Sequence, residues 1–178
     1  MIFNQLIIRR FLSYIQEKSN LAPSYSKEGK IILKYHKTYL NLGYYGTLFC
    51  SLAGIIHIFS TKRDFEQDII VGIILGFLIL AGIYLILISK VHTEADNIGI
   101  KRININGNEK LILWSEVKEI KFSYLSNLKI ISGANIIKVN VLTTGFNALL
   151  EIIRKKISPE IYEEAFLRID KAKAERGY

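Results

Sequence analysis

The sequence predicts an α+β membrane protein, in which a two-helix transmembrane hairpin is followed by a small antiparallel β-domain capped by a C-terminal helix. Three observations carry that expectation. Half of the 178 residues are hydrophobic, more than an ordinary soluble domain of this size needs. Two stretches, Tyr39 to Ser60 and Ile69 to Ser89, contain no Asp, Glu, Lys or Arg. Beyond Lys90 the continuous apolar pattern gives way to alternation and then to a helical period.

Each uncharged stretch is about 21 or 22 residues long, so as a helix rising about 1.5 Å per residue it extends about 32 Å, close to the hydrocarbon thickness of about 30 Å. Buried helices of a soluble bundle would show a polar face, and neither stretch has one. Five charges lie in the intervening "TKRDFEQD", a short solvated turn that makes the helices antiparallel neighbours. A cleaved leader is not expected, because "MIFNQLIIRRFL" is short, interrupted by Arg9 and Arg10, and lacks a small-residue cleavage site.

Orientation follows from the flanking cations. Lys27, Lys30, Lys34 and Lys37 precede the first span, and Lys90, Lys101 and Arg102 follow the second. In the loop, Lys62 and Arg63 are offset by Asp64, Glu66 and Asp68. Both termini are therefore expected in the cytoplasm. The lone Cys50 has no partner for an intramolecular disulfide.

Gly43, Thr47 and Ser51 recur every four positions in the first span, and Gly72 and Gly76 form a GxxxG in the second. Such rows let helix backbones approach in lipid, either within one hairpin or in a homodimer. His57 lies three residues from the end of its span with no acidic partner in that span, so it reads as an interfacial histidine rather than a proton or metal site.

The segments divide at 1–38, 39–90 (spans 39–60 and 69–89), 91–158 and 159–178. In the first, Phe3, Leu6, Ile7, Phe11, Tyr14 and Ile15 form an apolar stripe outside which Arg9 and Arg10 fall. It reads as an interfacial amphipathic helix, with docking onto the β-domain as the alternative. "SNLAPSYSKEG" reads as a linker, and "KIILKY" as a possible strand that could supply one further strand to the β-domain.

In "NIGIKRININGNE" the apolar parity switches at Lys101-Arg102, the mark of a β-bulge or bend. Asn106-Gly107 supplies left-handed residues for a hairpin, and Leu111 and Leu113 resume the alternation. It stops after Trp114 and returns at Ile120, Phe122 and Tyr124, leaving a helical turn in which Ser115 is the expected cap and Glu116 complements the dipole. Leu128 and Ile130 mark one further strand, and Ile137, Val139 and Val141 another. Phe146, Leu149, Leu150, Ile153 and Ile157 then have helical spacing. Ser158-Pro159 starts a last helix with Tyr162, Ala165, Phe166 and Ile169 as its apolar face.

The series "NIGI", "LILWSEVKEIKF", "LKII", "IIKVNV" and "FNALLEIIRKKI" resembles the pleckstrin-homology-like (PH-like) domains of small bacterial membrane proteins, many of which carry a two-span hairpin. The matching positions are Gly99-Ile100, Trp114-Ser115-Glu116-Val117 and Phe146 to Ile157. The resemblance covers Ser89 to Ser158, plus the hairpin by arrangement, and its motifs are hydrophobic patterns with one Trp. It assigns structural roles to Gly99, Trp114 and Phe146, with Trp114 expected against the closing helix. Five strands are legible against the family's usual seven, which leaves a complete or an incomplete barrel open.

The resemblance implies a non-enzymatic scaffold or binding module in the bacterial cytoplasmic membrane. Lys101, Arg102 and Lys110, with Arg9 and Arg10, are the expected contacts with an anionic inner leaflet, at about 1 kcal/mol per cation. The net charge of +8 is spread along the chain, and no nucleic-acid recognition motif accompanies it. No cofactor or metal is expected, since paired carboxylates, a phosphate-binding glycine loop and ligand-spaced Cys/His sets are missing from the sequence. A protein partner, and in one version a homodimer, is the expected company; a regulator or immunity-type protein is the narrowest form. The alternative is an oligomeric transport or lipid-handling component built on Gly72 and Gly76.

Overall fold

The computed structural model describes residues 23–26, 28–60, 65–123 and 126–176. The apolar stripe with Arg9 and Arg10, the first four residues of the linker with Lys27, and the loop cations Lys62 and Arg63 lie outside the described residues; the rest of the linker is not plain connection, since Ser24–Tyr25 within it pairs as a short strand. The chain forms two compact units, one of Lys37–Lys90 and one containing the residues on either side of it.

The first unit is a helical hairpin of α1 (Lys37–Ser60) and α2 (Phe65–Lys90). Both helices contain a stretch long and apolar enough to cross a membrane, Lys37–Phe59 and Asp68–Lys90. Within these stretches only Gly43, Cys50 and Gly82 are buried, and Phe49, Phe59, Ile73 and Phe77 are among the large apolar side chains left exposed. The core helix of a soluble protein would hide such residues. The helices approach closely at Gly43: a Cβ there would stand 2.8 Å from the Gly82 carbonyl oxygen and from Ile86 Cγ1. Gly72 and Gly76 have open space where a Cβ would point. Of the small residues in the two spans, Gly43 is therefore at the helix contact and the GxxxG pair is not.

The second unit contains two antiparallel sheets. The first runs β1 (Ser24–Tyr25), β2 (Ile31–Lys34), β3 (His92–Ala95), β4 (Gly99–Ile103) and β5 (Glu109–Leu113) in spatial order. The second is β6 (Glu119–Ser123), β7 (Asn127–Ser132) and β8 (Asn135–Asn140). Two helices follow, α3 (Phe146–Lys156) and α4 (Pro159–Arg176), with α4 packed on β6. The sheets are separate and do not close into one barrel.

The pairing of β2 with β3 sets the architecture. Ile31 faces Ala95 and Lys34 faces His92, so strands on opposite sides of the helical hairpin are sheet neighbours. "KIILKY" does supply a strand, and Leu33 within it is 1% exposed. Beyond the strand, Tyr35 bridges Thr143, and the Thr144 N–H donates to the Lys34 carbonyl at 2.9 Å. The helical hairpin is thus an insertion between two paired strands of one sheet.

Alternation explains the core. Ile31, Ala95, Ile100 and Ile112 face one another across β2–β5 and all are buried. Ile120, Leu128, Ile130, Ile137 and Val139 come from the second sheet, and Phe146, Leu149, Leu150 and Ile153 from α3. Trp114 belongs to the same buried cluster. Gly145 begins α3 with φ 78°, a left-handed conformation that suits glycine. The basic end of α3 is partly structural, for the Arg154 guanidinium lies 5.2 Å over the Phe166 ring of α4.

Three local expectations are corrected. The β4–β5 ladder is continuous from Gly99↔Leu113 to Ile103↔Glu109, with no bulge at Lys101-Arg102. The parity switch arises because Ile103 lies on the half-exposed face of the same regular strand, opposite buried Ile100, while Ile98 is outside the strand and exposed. In the following turn Gly107 alone has a positive φ, 77°, and not Asn106. The turn after β5 is a 3₁₀ helix over Trp114–Glu116 whose N-cap is Leu113 with no side-chain cap, so Ser115 lies inside the turn rather than capping it.

Candidate functional site

Trp114 is fixed by a corner of the first sheet. Its backbone N–H donates to the Ile98 carbonyl at 3.1 Å, and its indole Nε1–H donates to the Asp96 carbonyl at 2.8 Å. The Asp96 carboxylate accepts the N–H groups of Ile98 and Gly99 at 2.8 and 3.0 Å, an Asx turn that sets the β3–β4 connection. Gly99 fits because a Cβ there would stand 2.4 Å from the Ile112 carbonyl oxygen. Asp96 was not singled out from the sequence, although Asp-Asn two residues before a glycine is the turn signal that could have found it. Ser115 and Glu116 stand exposed beside this corner.

The same end of the sheet carries a cleft of about 260 Å³, formed by the β1–β2 turn, the β3–β4 turn and Ile152 of α3. Tyr25 and Ile98 flank it, 61% and 69% exposed. Glu28, Lys30, Asp96 and Asn97 give it a polar lining. Lys30 Nζ lies 2.7 Å from Glu28 Oε2, and that hydrogen bond, with the charge it carries, holds the Glu28 carboxyl below its ordinary range and raises Lys30. An exposed Tyr and Ile over a small polar cleft is an arrangement that accepts an apolar side chain of a partner while pairing its backbone polar groups.

The opposite end of the sheet carries the cations expected to meet lipid, and the pleat separates them. Lys101 is on the face shared with Glu94 and Leu111, where its ammonium lies 3.7 Å from Glu94 and 3.2 Å from Glu109. Arg102 and Lys110 face each other on the other side, and Arg102 donates from Nη1 to the Lys138 carbonyl of β8. Lys101 is thus compensated by two carboxylates, while Arg102 links the two sheets.

In the helical hairpin, His57 has no acidic neighbour in its own helix but finds one on the other: its Nε2 is 3.0 Å from Asp68 Oδ1. The partner was missed because α2 begins at Phe65, which makes Asp68 a first-turn residue rather than part of the loop. The pair lies along a cleft of about 640 Å³ between the helices, also lined by Ser51, Gly54, Gly72 and Gly76. Its volume falls within the range of about 300–1,000 Å³ seen in small-molecule sites.

No family model matches the chain, and comparison with curated proteins and with solved structures gives no match either.

Proposed function

We propose that this protein is a non-enzymatic, membrane-anchored PH-like module of the bacterial cytoplasmic membrane that binds a protein segment through the cleft between Tyr25 and Ile98. The carrying observation is the pair of exposed large side chains at that cleft, on a sheet corner made rigid by Asp96, Gly99 and Trp114. The membrane reading is supported by the apolar length and exposure of α1 and α2. The PH-like reading is supported by β2–β8, seven antiparallel strands in two sheets leading into the closing helix α3. The cation count of the sequence supports a cytoplasmic position for both connections, and with them the β-unit. Regulation or immunity at the inner leaflet is the physiological role that suits so small a module.

A photo-reactive residue at Tyr25 or Ile98 should capture one defined protein in membranes from the native host, and the same group at Leu167, 65% exposed on α4, should not. Equal capture at the three positions would sink the assignment of the cleft. The cleft in the helical hairpin favours a second reading, an oligomeric transport or lipid-handling component. There, activity would survive loss of the β-unit, and Gly76→Leu would abolish oligomers.

A further inference from the structure

We propose that the β4–β5 turn, residues 104–108, is a membrane-contacting finger. It places Ile105 in the interfacial layer of the anionic leaflet at which the helical hairpin enters and leaves. The inference rests on the reading of α1 and α2 as membrane spans and adds a second, non-covalent attachment.

Strand register carries the argument. Ile103, the last residue of β4, faces His92, and His92 faces Lys34. Lys34 and His92 are the strand residues nearest the helical hairpin, for α1 begins at Lys37 and α2 ends at Lys90. Two residues reach at most about 7 Å, and neighbouring strands are about 4.8 Å apart. His92 is thus only two residues along the chain from the end of α2, and Ile103 is its neighbour in the sheet. The turn continues past Ile103 from this end of the sheet.

Its shape and composition suit the role. The Asn104 N–H donates to the Asn108 carbonyl at 3.0 Å, and the Gly107 N–H donates to the Asn104 carbonyl at 2.9 Å, so the turn is closed on itself. Ile105 is the one apolar side chain in "NINGN" and is 48% exposed. No acidic residue occurs within the turn, and Glu109 beside it is paired with Lys101. Lys34 is exposed and Lys110 half-buried at the same end of the sheet, where they can meet lipid phosphates. An apolar tip with cations at its base is the pattern of an interfacial anchor.

The test uses the full chain in nanodiscs containing anionic phospholipid. An environment-sensitive fluorophore is attached to Ile105→Cys in a Cys50→Ala background, with Leu167→Cys and Ile73→Cys as references. The expected result is blue-shifted emission at 105 and several-fold stronger quenching by headgroup-level nitroxide lipids than at 167, weakened when the anionic lipid is replaced by a zwitterionic one. Water-like emission at 105 with strong quenching at 73 would overturn the finger and leave the spans intact. A blue shift at 105 without lipid quenching would also overturn it, since the turn would then be covered by protein. Weak lipid quenching at both 105 and 73 would remove the spans and the finger together.

Discussion

Replacement of residues 36–90 by Asn-Gly is expected to yield a β-unit that is soluble without detergent and unfolds cooperatively. Lys34 faces His92 in the antiparallel pairing of β2 and β3, so Tyr35 and Val91 are the next positions along the ladder. A two-residue Asn-Gly loop closes such a pair in a type I′ turn, whose twist matches that of the strands. The excision removes the exposed apolar surface of α1 and α2 and none of the core formed by β2–β8 and α3. In that variant Leu33→Ala should cost about 2–5 kcal/mol, the usual range for a buried leucine, against a total of about 5–15 kcal/mol. Thermal denaturation followed by Trp114 fluorescence reads the loss. A chain beginning at Val91 that melts at the same temperature as the excised protein would show that β1 and β2 are dispensable, contrary to the fold.

Gly43→Leu and Gly82→Leu are expected to separate α1 from α2, and Gly76→Leu to leave them together. A Cβ on Gly43 meets the Gly82 backbone carbonyl at 2.8 Å, and a Cβ on Gly82 meets the Gly43 backbone carbonyl at 3.1 Å as well as the Thr47 side chain. Backbone cannot swing aside as a side chain can, so the helices must part. In lipid, helix association depends on close van der Waals packing rather than on the hydrophobic effect, and overpacking typically costs about 1–3 kcal/mol. Gly76 has open space at its Cβ position. The midpoint of detergent-induced unfolding should fall for the first two variants and hold for the third. Unchanged midpoints for Gly43→Leu and Gly82→Leu would contradict the helix contact. Dissociation of an oligomer by Gly76→Leu alone would favour the transport reading.

What the sequence made legible follows from how far each signal reaches. The two long apolar helices are visible because an uninterrupted apolar run is a local property, and α3 is visible because Phe146, Leu149, Leu150 and Ile153 repeat at helical spacing. β3 was not visible: its inward residues are Thr93 and Ala95, small side chains that carry no hydrophobic alternation, and its outward ones are His92 and Glu94. β1, two residues long, offers no period at all. β2 looked like a strand, but its neighbour lies beyond the whole helical hairpin, and no periodicity can name a partner at that distance. At the sheet corner, Gly99 and Trp114 were found through the resemblance, whereas the cleft depends on two turns far apart in the sequence, with Tyr25 and Ile98, lining one space. The His57–Asp68 pair escaped for a smaller reason, since α2 starts one turn earlier than its uncharged stretch.

The most direct measurement is labelling of single cysteines by a membrane-impermeant maleimide in intact spheroplasts, in a Cys50→Ala background. Glu66→Cys lies in the first turn of α2, and Ile98→Cys lies in the β-unit; both positions are exposed. A hairpin crossing the membrane with the β-unit in the cytoplasm predicts that position 66 reacts from outside and that position 98 reacts only after the membrane is opened. Reaction of both from outside, or of position 98 alone, would contradict that topology. Recovery of the intact protein in the soluble fraction would contradict the membrane hairpin itself.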